Sequence, residues 1–195
     1  MPKVTEAYRE ARRDQIIDAA IACFIRNGIH ATTMTDVIAE SGLSAGAIYV
    51  YFGGKQELAL AAVRREGAGR SSGIDAASLD GPISPANLLR ALDADFARQP
   101  RTRTIVIQLW SEAATDPEYA EVATSAFAAL GSTLSAPLTK WAQQSRDMGP
   151  DAALQWAEKI MPAMLALLQG LVLQQTIAPG FDKEHFLAGV DLLFS

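Results

Sequence analysis

Residues 32–55, Thr-Thr-Met-Thr-Asp-Val-Ile-Ala-Glu-Ser-Gly-Leu-Ser-Ala-Gly-Ala-Ile-Tyr-Val-Tyr-Phe-Gly-Gly-Lys, decide how the chain is read. Thr32-Thr33 offers an N-cap hydroxyl, and Asp36 puts an acid in the first turn, where the exposed N–H groups of a helix favour negative charge. A short helix through Ser41 then carries Val37 and Ile38 inward. Gly42 ends it, because glycine takes the left-handed conformation without a Cβ clash. Leu43 turns inward and Ser44 caps the next helix, which runs from Ala45 to about Tyr51 and buries Ile48 and Phe52. Two short helices across so tight a turn are a helix-turn-helix pattern.

Working outward, Ile16, Ile17, Ala20, Ile21 and Phe24 recur three and four apart in segment 8–27, which predicts one amphipathic helix stopped by Asn27-Gly28. Downstream, Gly53-Gly54 breaks the chain and Lys55 opens a helix carrying Leu58, Leu60, Ala61, Ala62 and Val63. From Gly67 to Pro85 the composition shifts to Gly, Ser, Asp and Pro, which reads as a loop. Five further helices are predicted, at about 86–98, 102–115, 117–147, 151–177 and 183–194. Pro100, Pro117, Pro150 and Pro179 punctuate them, whereas Pro137 and Pro162 fall inside helical patterns and predict kinks.

The 195-residue chain is 49% hydrophobic and 20% charged, which excludes a disordered tail and predicts a sizeable core. Its 35 alanines favour helix throughout, and no segment alternates like a strand. The single Cys23 excludes an internal disulfide framework or a cysteine zinc cluster and reads as a small core residue. His30 reads as a surface loop residue and His185 as a surface residue of the last helix, so no metal site is expected. No Gly-rich phosphate loop, nucleophile elbow or paired-carboxylate motif appears, so no catalytic residue and no cofactor is expected. The N-terminus lacks the apolar core of a secretory signal, and a cytoplasmic chain is expected. The apolar stretch Ile160–Phe181 is interrupted by Pro162, Gln169, Gln174, Gln175 and Pro179, and fits an amphipathic helix better than a membrane span. Net charge is −5, but residues 1–70 hold nine Lys/Arg against eight acids, so a local basic surface is compatible with an acidic whole.

Ser44, Ala45, Gly46 and Ala47 give the second short helix a slim edge. A B-DNA major groove about 12 Å wide admits a helix only where its facing side chains are small. Small residues also let backbone N–H groups approach a phosphate. Tyr49 and Tyr51 supply phenolic hydroxyls for flanking phosphates, and Lys55 a mobile charge.

Phe24, Gly28, Thr32-Thr33-Met34, the run Ile38–Ser44, Gly46–Phe52 and Lys55-Gln56-Glu57-Leu58 resemble the DNA-binding domain of the tetracycline-repressor (TetR) family of bacterial regulators, over roughly residues 10–63. The resemblance implies an all-α protein: a three-helix helix-turn-helix DNA-binding domain (1–54), a linking helix (55–70), and a helical ligand-sensing and dimerisation domain within 55–195. It implies that Thr33, Tyr49 and Lys55 clamp phosphates and that residues 44–47 read bases. Many relatives carry Lys or Arg where Ala45 stands, so readout here leans on thymine-methyl contacts from Ala45 and Ala47 and on DNA shape. Ile38 stands where alanine is common, which implies slight repacking. The implied activity is that of a ligand-responsive regulator, a repressor released from a double-stranded DNA operator by a small molecule. The alternatives are an activator or uninduced regulator of the same fold and, further off, a scaffold or enzyme.

One recognition helix reads few base pairs, so a homodimer is expected. Residues 160–175 and 187–194 are apolar over wide arcs, which predicts a four-helix dimer bundle through Leu165, Leu168, Gly170, Val172, Leu187, Val190 and Phe194. An ordinary intrachain core is the other reading of the same arcs. Phe96, Trp110, Phe127, Trp141 and Met164, with Gln108 and Glu112 as polar anchors, are the expected lining of a cavity for an apolar or aromatic molecule.

Overall fold

The computed structural model describes residues 5–67, 81–98 and 100–194. The end of the linking helix at 68–70 and most of the expected loop at 67–85 lie outside these residues. Among the described residues the secondary structure is helical, with no strand. The chain divides into two compact units, one made of the described residues of Met1–Gly67 and Arg101–Thr124, the other of those of Ala68–Pro100 and Ser125–Ser195.

In the first unit, α1 (Glu6–Ala31) packs on α2 (Met34–Ser41) and α4 (Lys55–Gly67), and α2 on the short α3 (Ala45–Tyr49). The apolar stripe read from the sequence faces inward: Ile16, Ile17, Ala20, Cys23 and Phe24 are buried with Val37, Ile48 and Leu58. Each large side chain so buried is worth about 1.5–3 kcal/mol, so apolar burial dominates the stability of this arrangement. Polar contacts set its register. Gln15 Nε2 donates to the Ser41 carbonyl at 2.8 Å, Arg26 pairs with Glu40 at 2.9 Å, and Arg65 reaches Asp14 and Asp18. The expected stop at Gly28 is present as a break: φ is 83° and ψ 155°, and helical structure resumes to Ala31.

The unit also contains α6 (Pro100–Ala113) beyond its first residue and the start of α7 (Pro117–Ser145). His30 lies in α1 and not in a loop, because helix resumes after Gly28. Its Nδ1 is 3.4 Å from Glu112 Oε2.

In the second unit, α5 (Pro85–Arg98) packs on α8 (Pro150–Ile177) and α9 (Lys183–Phe194), and α9 on α8. Pro137 and Pro162 lie inside α7 and α8. Buried carboxylates need partners, and Asp93 accepts from Gln175 Nε2 at 2.7 Å and Lys183 Nζ at 3.2 Å. Asp95 is held by Arg98 one turn on. Trp141 of α7 lies against Trp156 of α8 with centroids 5.4 Å apart, and Trp156 meets Phe194 edge-on at 6.2 Å. Arg146 stands over both indoles at 5.4 Å and donates from Nη2 to the Phe194 carbonyl at 2.9 Å. A cation thereby satisfies an orphan carbonyl at the end of α9, where the helix dipole favours positive charge.

Two stability effects follow from these contacts. Arg146→Ala removes two cation–π contacts and one terminal hydrogen bond, and is expected to cost about 1–2 kcal/mol in urea unfolding followed by tryptophan fluorescence. Arg146→Lys should recover only part of this, and an unchanged midpoint would show that the cluster holds without its cation. Thr33 N and Oγ1 both donate to Asp36 Oδ2 at 2.8 Å, and these bonds hold the Asp36 carboxyl below its ordinary range. A depressed folded-state pKa gives stability that is complete above the ordinary carboxylate pKa and lost as pH falls through the depressed one. Asp36→Asn is therefore expected to flatten the acid limb of Tm against pH in that window, and an unaltered limb would refute the assignment.

Candidate nucleic-acid interface

The two short helices are fixed at their ends by bonds that the sequence specifies. Thr33 and Asp36 form a reciprocal capping box, Thr33 Oγ1 accepting from Asp36 N at 3.2 Å while the carboxylate accepts from Thr33 N. Gly42 closes α2 at φ 66°, ψ 15°, a left-handed conformation that disfavours a side chain. Ser44 then caps α3, its Oγ accepting from Ala47 N at 3.3 Å. Ile48 and Phe52 are buried and anchor this segment, with Arg13 over the Phe52 ring at 5.3 Å. Glu57 accepts from Gly53 N at 2.7 Å and secures the break before α4.

This anchoring leaves one side of α3 to solvent. Ser44, Ala45 and Gly46 are exposed, Ala47 is half-buried, and Tyr49 is 52% exposed. Tyr51 is half-buried. Thr33 is exposed at the start of α2, but its hydroxyl proton is committed to Asp36. Lys55 donates from Nζ to the His30 carbonyl at 2.8 Å, so its ammonium is tied to the end of α1 and has further donors to offer. All eight residues expected at this surface lie in the segment from Thr33 to Lys55 of the first unit.

Sequence reasoning missed Val50. It continues α3 with helical backbone at φ −68°, ψ −28°, and is 76% exposed beside Tyr49. Between two tyrosines it reads as one more apolar residue, and only the burial of Ile48 and Phe52 shows that it faces out.

The residues expected to line a ligand site divide between the units. Gln108, Trp110 and Glu112 stand on α6 in the first, Phe96, Phe127, Trp141 and Met164 in the second. Phe96 and Met164 are buried, and Trp141 is already packed by Trp156 and Arg146. Gln108 Oε1 is buried with no hydrogen-bond partner among the described residues, as is the hydroxyl of Tyr119, which the sequence reading did not single out. Burial, then the charges of Glu112, Asp116 and Glu118, pushes the Tyr119 phenol up to about 12.

The expected dimer residues are mostly consumed by the chain's own packing. Leu168, Val172, Leu187, Val190 and Phe194 are buried, while Leu165 and Gly170 are half-buried. The exposed apolar residues of the same helices are Leu154, Leu173 and Ile177 on α8 and Leu192 and Leu193 on α9, with Ile177 at 65% and Leu193 at 69%. By length and hydropathy α8 is long and apolar enough to cross a membrane, a test that core helices of soluble proteins also meet.

Residues 16–62 match the family model described as bacterial regulatory proteins, tetR family. The uncharacterized HTH-type transcriptional regulator YfiR of Bacillus subtilis is 44% identical over 57 residues, which are 29% of this chain and 28% of that protein. The match thus spans little more than a quarter of that relative. The HTH-type transcriptional repressor Rv1474c of Mycobacterium tuberculosis is similar end to end, 28% identical over 99% of this chain and 96% of its own. Among solved structures, a TetR-family member from Streptomyces coelicolor A3 superposes with a TM-score of 0.68 at 25% identity, covering 93% of this chain and 97% of the other. The multidrug binding protein EbrR, solved complexed with proflavin, shares the fold at a TM-score of 0.64 and 24% identity over 93% of this chain and 99% of its own. The capped helix-turn-helix lies within residues 16–62, the segment that matches the family model, and by that segment the chain is similar to bacterial regulatory proteins of the tetR family.

Proposed function

We propose that the chain is a cytoplasmic homodimeric regulator that binds a double-stranded DNA operator through α2 and α3 and is released from it by a small apolar or aromatic molecule, acting as a repressor and not as an enzyme. The observation that carries this reading is the outward face of α3, small at Ala45 and Gly46 and flanked by the exposed Tyr49, held rigid by buried Ile48 and Phe52. A slim helix edge beside hydroxyl and ammonium donors suits a groove lined by phosphates. In functional terms residues 1–54 bind DNA and residues 55–195 sense and dimerise, with Lys55 at the junction.

Ligand response is supported by the buried, unpartnered Gln108 Oε1 and Tyr119 hydroxyl, since such atoms cost free energy until a ligand or water meets them. EbrR, of like fold, holds proflavin. Dimerisation through α8 and α9 is supported by the apolar side chains they expose, and it uses Leu173, Ile177, Leu192 and Leu193 in place of the buried set expected from sequence. Effector release requires tighter binding to the form that does not bind DNA, about 1.4 kcal/mol for each tenfold preference.

Two experiments test this reading. Purified protein is expected to bind a few fragments of its own genome tightly, with affinity falling steeply as salt rises. Tyr49→Phe with Lys55→Ala should weaken all of them alike and lower the log–log salt slope by about one. Weak binding that ignores both salt and the substitutions would overturn the DNA reading. Leu173→Asp with Leu193→Asp is expected to give a monomer in analytical ultracentrifugation that retains helical content, whereas an unchanged dimer would place the interface elsewhere.

A further inference from the structure

Every side chain from Ser41 to Gly54 is uncharged. The outward face of α3 therefore carries no Arg, Lys, Asp or Glu, and no Asn or Gln, the side chains that pair bidentately with guanine or adenine edges. It carries Ala45, Gly46, Tyr49 and Val50 instead, all exposed. Val50 is the outlier: a branched aliphatic side chain 76% exposed, where Ile48 of the same helical run is fully buried and Leu43 before it half-buried. Its helical backbone sets it one position after Tyr49 and four after Gly46, on the same side as the slim edge. The anchoring of Ile48 and Phe52 fixes that orientation.

An exposed aliphatic group meeting a base edge has one complementary partner in B-DNA. Thymine alone presents a methyl group in the major groove, whereas guanine, cytosine and adenine present hydrogen-bonding atoms that a valine leaves unpaired. We infer that Val50 is a specificity-determining residue that reads thymine 5-methyl groups, together with Ala45, so that the operator is recognised chiefly by apolar contact in the major groove. This rests on the DNA-binding reading above and adds to it the base that is read and the residue that reads it.

The test uses chemistry that removes only the methyl. A duplex is enriched from a random-sequence library on the purified full chain, then synthesised twice, once with thymidine and once with deoxyuridine throughout, which keeps every base-pairing atom. Wild-type protein is expected to bind the deoxyuridine duplex at least tenfold more weakly. Val50→Ala should lose about three- to fivefold on the thymidine duplex and almost nothing on the deoxyuridine duplex, since the methyl it touched is gone, while Val50→Thr, which keeps one γ-methyl, should retain part of that difference. Exposure of Val50 makes these variants safe to fold, and equal melting temperatures check that. Single thymine-to-uracil changes then locate the coupled base pair. Equal losses for Val50→Ala on both duplexes, or wild-type indifference to deoxyuridine, would overturn the inference while leaving DNA binding intact. Failure to enrich any duplex would instead overturn the DNA-binding reading and this inference with it.

Discussion

The left-handed backbone at Gly42 is the constraint on which the rest of the first unit depends. At φ 66° the chain leaves α2 and, two residues later, enters α3 under the Ser44 cap. Beyond the glycine itself and its chain neighbours no atom lies within 4 Å of where a Cβ would stand, so the requirement for glycine is conformational and not steric crowding. A side chain there strains the turn that sets the direction of α3 against α2. Because α3 has only five residues, it has too few internal hydrogen bonds to hold a direction by itself. Its orientation comes from the turn before it and from Ile48 and Phe52 beneath it.

Such fixed orientation is what the proposed readout by a surface so poor in charge requires. Apolar contacts are non-directional and reward only close approach, so a helix that reads by methyl groups must be held more rigidly than one that reads by long flexible side chains. The first unit supplies that rigidity twice over. Apolar burial from α1 and α4 underlies the pair of short helices, and polar bonds from Gln15 to Ser41 and from Arg26 to Glu40 prevent α2 from sliding along α1.

Much of this was legible from residue order alone because it is local. Caps, glycine turns and apolar spacing act within a few residues, and the helices at Met34–Ser41, Lys55–Gly67 and Pro150–Ile177 begin and end within a few residues of where those signals stand. What was not legible is non-local. Periodicity shows that α8 and α9 are apolar over wide arcs, but not which arc the same chain covers, so Leu168, Leu187 and Val190 read as interface although α5 and its neighbours bury them. Trp141 reads as a cavity wall because nothing in its own segment reveals that Trp156 and Arg146 close over it.

The same distinction bears on how, under the proposed function, an effector signal would reach α3. Lys55 holds the His30 carbonyl, and the His30 ring meets Glu112 of α6, so a chain of polar contacts joins α6 to the start of α4 within one compact unit. The His30 ring is almost fully solvated, and surface ion pairs are worth about 0–1 kcal/mol. Driving a two-state equilibrium from 1:99 to 99:1 takes about 5.5 kcal/mol of differential binding. The His30–Glu112 contact is therefore too weak to carry the proposed release. A response of that size has to disturb buried packing, and α4 offers it: Leu58, Ala59, Ala62 and Val63 are buried on the helix that starts at Lys55 and packs along α1. α4 packs on the same α1 that supports α2, and α2 on α3, so a shift of α4 would bear on the direction of α3 through that packing. On the proposed function, the polar contacts would hold Lys55 in register while the apolar face of α4 would transmit the displacement.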